Sequence, residues 1–135
     1  ARALFCGITR GTTRAHMTRA VLESIAFSAK ELADCMERDS GLCLACVRCD
    51  GGASANDFLM QFQSDVLGAA VDRPVLREST ALGAAYACAL SLGLADEEGI
   101  AARRVSERVF KPSPDRERYA ALYREYKKAV ARALN

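Results

Sequence analysis

The chain has 135 residues, half of them hydrophobic and 27% charged, with a formal net charge of +2. That length suits one domain, able to bury roughly two-thirds of the surface its unfolded chain exposes. The near-neutral balance argues against nucleic-acid binding by bulk electrostatics, and no run of about 18 apolar residues offers a transmembrane helix.

Residues 3–8, ALFCGI, form a short apolar run that ends in the loop TRGT. A long helix follows, capped by Thr12 or Thr13 and stopped at Gly41, with Val21, Ile25, Leu32 and Met36 marking one face and Ala29 and Cys35 nearby. Arg10, Arg14, His16 and Arg19 crowd its start, where the helix dipole disfavours cations. They are expected to pair with carboxylates elsewhere in a larger protein; phosphate or an acidic partner is the alternative.

Next comes CLACVRC (43–49), a mostly apolar run of strand length, followed by Asp50-Gly51-Gly52. Ser54, Asn56 or Asp57 can then cap a helix from about Asn56 to Leu67, in which Phe58, Leu59, Phe62, Val66 and Leu67 recur at helical spacing before Gly68. In an α/β protein such a turn lies at the carboxyl end of a strand, where ligands bind, and paired glycines let a ligand lie directly on backbone. By themselves, however, two glycines after a strand often make only a turn. Asp50 and Glu78 offer carboxylates for acid–base work, but a lone carboxylate at a strand end is more simply a hydrogen-bonding brace.

Six cysteines are present, and Cys43, Cys46 and Cys49 stand three apart. On a strand, Cys43 and Cys49 point to one face and Cys46 to the other, so the three do not converge on a metal. His16, the only histidine, is distant in sequence. No signal peptide is visible, so reduced thiols in the cytoplasm are the expectation, with no metal site.

AAVDRP is a second short strand closed by Pro74, and Ser79 or Thr80 caps a third helix, ALGAAYACALSLG. That helix is apolar nearly all round and is expected to be buried, its Gly83-Ala84-Ala85 admitting another backbone closely. DEEGIAARR reads as a short amphipathic helix and VSERVFKPSP as an extended connection with two prolines. A charged terminal helix over 115–134 carries an apolar stripe of Tyr119, Leu122, Tyr123, Tyr126, Val130 and Ala133. Strands alternating with helices predict an α/β layered fold, but three short strands make a meagre sheet. With no initiating methionine, the chain reads as a piece of something longer.

The segments ALFCGITRGTTRAHMTRAVLES, RCDGGASANDFLMQFQSDVLG and DRPVLRESTALGAAYACAL together resemble the carboxyl-terminal domain of the FGGY carbohydrate kinases, within the actin, Hsp70 and hexokinase superfamily. Ala3, Phe5, Gly7, Ile8, His16, Met17, Ala20, Val21, Leu22 and Glu23 fall at the spacing of an FGGY signature, His16 reading as structural. FLMQFQSDVLG followed by the RP and ESTALGAA runs looks like the glycerol kinase branch rather than the xylulokinases. The resemblance is densest over 3–93 and looser in the tail. Asp57 stands where that branch often has a second asparagine, and Tyr126 where it often has tryptophan, which leaves the packing of the tail open.

The resemblance implies a helix-rich α/β fold with a small sheet, part of an actin-like ATPase (ribonuclease H-like) domain. Residues 1–95 would form the core and 96–135 a helical extension of the same domain. It implies that DGGASAN is the adenosine part of an ATP site, with Gly52 and Asn56 approaching adenine and ribose and Gly51 supporting the turn. A side chain at Gly52 would stand where a flat base must lie, and Asn56 offers both a donor and an acceptor. It further implies phosphorylation of glycerol by MgATP in a longer parent, with the acceptor site, the catalytic aspartate and the phosphate loops outside this chain. No catalytic residue is therefore assigned here. ATP or ADP, the amino-terminal part of the same kinase and further copies of it are the expected partners, without nucleic acid or membrane. An FGGY kinase for another polyol or sugar, or a non-catalytic nucleotide- or partner-binding module, is the alternative.

Overall fold

The computed structural model describes residues 3–134. Helix α1 (Arg14–Ser40) leads to strand β1 (Cys46–Arg48), a single 3-10 turn (Gly52–Ala55), helix α2 (Asp57–Leu67) and strand β2 (Ala70–Pro74). Helices α3 (Ser79–Ser91) and α4 (Glu97–Ala102), strand β3 (Ser106–Phe110) and helix α5 (Arg116–Leu134) complete the order. None of the described helices is long and apolar enough to cross a membrane.

The sheet runs β1-β2-β3, with β1 parallel to β2 and β3 antiparallel to it. One expectation is corrected here. Part of the expected connection VSERVFKPSP is β3, paired to the central strand from Val71–Phe110 to Pro74–Ser106. The adjacent Val109 and Phe110 that end SERVF are the strand signal, masked by Pro112 and Pro114 just beyond them. The first strand is also shorter than 43–49, because only Cys46–Arg48 finds a partner on β2.

The helix punctuation follows local chemistry closely. Thr13 caps α1 in a capping box: its side chain accepts from the His16 N–H, while His16 Nδ1 accepts from the Thr13 N–H at 3.2 Å. Gly41 and Gly68, both left-handed, close α1 and α2. Glu78, rather than Ser79 or Thr80, precedes α3, and it makes no side-chain cap.

Packing is less faithful to the periodicity. The core joins Ala26 and Phe27 of α1 to Leu59, Met60, Phe62 and Val66 of α2, and to Val71 and Phe110 of the sheet. Tyr119, Leu122, Tyr123 and Tyr126 of α5 close over it. Phe27 is its hub, with ring centroids 5.4 Å from Phe62 and 5.0 Å from Tyr126. Tyr126 also reaches Ser28 Oγ at 3.1 Å, so tyrosine serves here as packing surface with a polar tip.

The face of α1 marked in the sequence is not the buried one. Val21, Ile25, Leu32 and Met36 are all exposed, and Ala26, Phe27 and Ala33 are the buried residues. Helix α3 likewise buries none of its residues, against the expectation for so apolar a helix. The reason is the same in both cases: α1 spends one apolar face on α2 and α5, and nothing within the described residues covers the other, or α3.

Candidate nucleotide-binding turn

The turn after β1 is built by one glycine and presents another. Gly51 has φ +76, a left-handed value that L side chains rarely adopt, and its N–H donates to the Arg77 carbonyl at 2.8 Å. The 3-10 turn then holds Ser54 inward, its hydroxyl donating back to the Gly51 carbonyl at 2.7 Å. Gly52, Ala53, Ala55 and Asn56 remain exposed.

Gly52 differs from Gly51 in kind. Its φ is not left-handed, and a Cβ built on it would meet no atom of the chain within 4 Å. Neither backbone conformation nor internal packing therefore requires glycine at 52. Asn56 does two things at once: its Oδ1 accepts from the Leu59 N–H at 3.1 Å, capping α2, while its Nδ2 lies on the exposed side chain. The three expected residues are thus gathered on one short, solvent-facing turn at the carboxyl end of a parallel strand.

Other expected candidates are not drawn in. Asp50 is exposed, and Glu78 is exposed at the start of α3. Arg19 pairs within its own helix with Glu23 at 2.7 Å and lies over the Phe58 ring. The cysteines are free, and among the described residues no three His, Cys, Asp or Glu side chains gather to hold a metal. Cys49 is half-buried, and that burial pushes its thiol pKa up.

Beneath the turn lies an ion-pair cluster that a reading by motif passes over. Arg73, only 5% exposed on the central strand, donates from Nη1 to the Ser54 carbonyl at 2.9 Å and to Asp57 Oδ1 at 2.7 Å. Its Nη2 reaches Glu107 Oε1 at 3.2 Å, and Arg77 Nη2 donates to Glu107 Oε2 at 2.9 Å. Asp57 Oδ2 takes a further bond from Arg108 at 2.6 Å. The hydrogen bond from Arg73 holds the Asp57 carboxyl below the usual carboxylate range, and that from Arg77 does the same for Glu107. Strand alternation was the available signal, since Arg73 shares the buried parity of Val71.

A separate cavity of about 640 Å³ opens between α3 and α4, lined by Arg48, Leu76, Leu82, Tyr86, Ile100 and Arg104 among others. None of Gly51, Gly52 and Asn56 borders it. It is a groove under the uncovered helix α3, distinct from the turn.

A small mixed sheet flanked by helices, with a glycine turn leading from a parallel strand into a capped helix, has the architecture of part of an actin-like ATPase domain. Comparison with solved structures agrees. The chain superposes on Plasmodium falciparum glycerol kinase with ADP at a TM-score of 0.86 and 36% identity, covering all of this chain and 27% of that one. It matches Rhodospirillum rubrum xylulose kinase at a TM-score of 0.78 and 25% identity, covering 97% of this chain and 27% of that one. Residues 1–92 match the FGGY family of carbohydrate kinases, C-terminal domain, and the chain belongs to that family. Among its relatives, glycerol kinase 2 of Thermotoga maritima is 51% identical over 99% of this chain, and glycerol kinase of Halorhodospira halophila 46% identical over all of it. The chain spans 27% of the length of each.

Proposed function

We propose that the chain is the adenosine-holding portion of a glycerol kinase, which transfers the γ-phosphoryl group of MgATP to glycerol and yields glycerol 3-phosphate. Gly52 and Asn56 meet the adenine and ribose, and Gly51 shapes the turn that presents them. The observation that carries this reading is Gly52, a glycine that the chain itself does not need. A ligand lying flat on the backbone supplies the missing reason. Asn56 fits the same role, because capping uses its oxygen and leaves its amide hydrogens for a ring nitrogen or hydroxyl. The ADP bound to the Plasmodium glycerol kinase and the identity to bacterial glycerol kinases favour adenosine and glycerol over other substrates.

Catalysis rests on positioning and charge stabilisation, with the acceptor, its activating aspartate and the Mg²⁺ held by the amino-terminal part of the parent. Residues 1–95 and 96–135 belong to one lobe, since β3 and α5 of the second part complete the sheet and close the core built by the first. The parent works in the cytoplasm as a homo-oligomer, and its amino-terminal part covers apolar surface that the described residues leave exposed.

Calorimetric titration of the full-length parent tests the assignment. Gly52→Val is expected to weaken ATP by at least about tenfold, roughly 1.4 kcal/mol, with glycerol affinity nearly intact. A fall in glycerol affinity with ATP affinity unchanged overturns it.

A further inference from the structure

We propose that Arg73, assisted by Glu107, is a positioning residue for the nucleotide, setting the height and tilt of the turn on which adenosine rests. The inference depends on the reading of Gly52 and Asn56 as nucleotide contacts.

The geometry is that of a grip on both ends of the turn. Arg73 Nη1 holds the Ser54 carbonyl and Asp57, the residues that bracket Ala55 and Asn56. At the other end, the Gly51 N–H is tied to the carbonyl of Arg77. Glu107 joins the two ends, one carboxylate oxygen on each arginine. The Arg73 guanidinium also lies 5.2 Å from the centroid of the buried Phe110 ring, and Arg108, on the same strand as Glu107, holds the second oxygen of Asp57. Strand β3 therefore reaches the turn and its flank through three charged contacts.

Stability alone is a poor reason for such a cluster. Desolvating a guanidinium offsets most of what its ion pairs return, so a buried pair does little net work for the fold. A planar fork with fixed partners does define position, and a ligand-bearing turn displaced by about 1 Å loses much of its effect. Lysine at 73 keeps the charge but forfeits the fork, since one ammonium cannot hold Ser54, Asp57 and Glu107 in the same geometry.

The test is titration of the full-length parent with ADP and, separately, with glycerol, alongside melting curves. Arg73→Lys is expected to raise the Kd for ADP about tenfold, and Glu107→Gln about threefold, with glycerol within about twofold in both. A purely structural role lowers the melting temperature and leaves that split absent, which overturns the proposal. Gly52→Val runs as the parallel arm. If it weakens ADP while Arg73→Lys and Glu107→Gln do not, positioning is refuted and the nucleotide turn stands. If Gly52→Val leaves ADP binding unchanged, the turn assignment itself falls and the positioning role with it. Should Arg73→Lys fail to fold, Glu107→Gln decides alone, because its side chain is 35% exposed, glutamine keeps its size, and Arg73 keeps its bonds to Ser54 and Asp57.

Discussion

In the proposed site, Asn56 serves fold and ligand through different atoms. Its oxygen caps α2, so Asn56→Ala removes a cap worth about 1 kcal/mol together with any contact to the nucleotide. Asn56→Asp separates the two, because a carboxylate caps as well but donates nothing. The expected outcome in the parent is a melting temperature near wild type for Asn56→Asp and a clear drop for Asn56→Ala, with both weakening ATP. The loss in Asn56→Asp should be at least about 0.5–1.5 kcal/mol by calorimetry, the value of one hydrogen bond, before any charge repulsion from phosphate. Wild-type affinity in Asn56→Asp removes the amide donor from the account. The same logic makes Phe27 a control of another kind: Phe27→Ala opens the aromatic core and should cost about 3–5 kcal/mol in urea unfolding, independent of ATP.

Among the elements, β2 and β3 are tied by charge as much as by backbone. Asp72 receives Ser106 and Arg104, the latter at 2.6 Å, and the Ser106 bond above all holds its carboxyl below the usual range. Asp57 and Glu107 are lowered in the same sense by Arg73 and Arg77. A carboxylate whose pKa is lower folded than unfolded contributes stability above its unfolded pKa, and that contribution is lost as pH falls through the folded value. The three groups therefore leave the chain fully supported at neutral pH and progressively weaker below about pH 4. Melting curves between about pH 7 and pH 3 should show this loss, and Asp72→Asn should flatten it while lowering stability at neutral pH. An unchanged pH slope in Asp72→Asn would show that the strand tie is not electrostatic.

At the scale of the whole molecule, the proposed site is half of one substrate's, and the described residues leave an unfinished hydrophobic surface. Met17, Val21, Ile25, Leu32 and Met36 form an exposed stripe along α1, and α3 is bare. Contiguous apolar surface of this kind drives association when its natural cover is absent. The 135-residue chain alone is accordingly expected to show no turnover with glycerol and MgATP in a coupled assay, and to self-associate in analytical ultracentrifugation. Turnover at about 1–100 per second, ordinary for kinases, would refute the division of labour between this chain and the rest of its parent. A strictly monomeric chain that binds no dye for exposed apolar surface would refute the uncovered faces.

Local chemistry was legible in the sequence at most helix ends, the cap expected of Ser79 or Thr80 on α3 being the exception. Thr13, Gly41, Asn56 and Gly68 punctuate helices through hydrogen bonds and φ values that span at most a few residues, and all four do so in the fold. The glycine turn was legible for the same reason, as was the family likeness, since both are linear patterns. What only the tertiary structure decided is which apolar face is spent inside the chain and which buried charges meet. Helix α1 carries two apolar faces of similar sequence quality, and the arrival of α2 and α5 against Phe27 selects one. Arg73 finds Ser54, Asp57 and Glu107, which stand 19, 16 and 34 positions away, only because the pairing of β2 with β3 and the return of α2 bring them to one point. Periodicity reports what a face could bury; it contains no term for the partner that arrives.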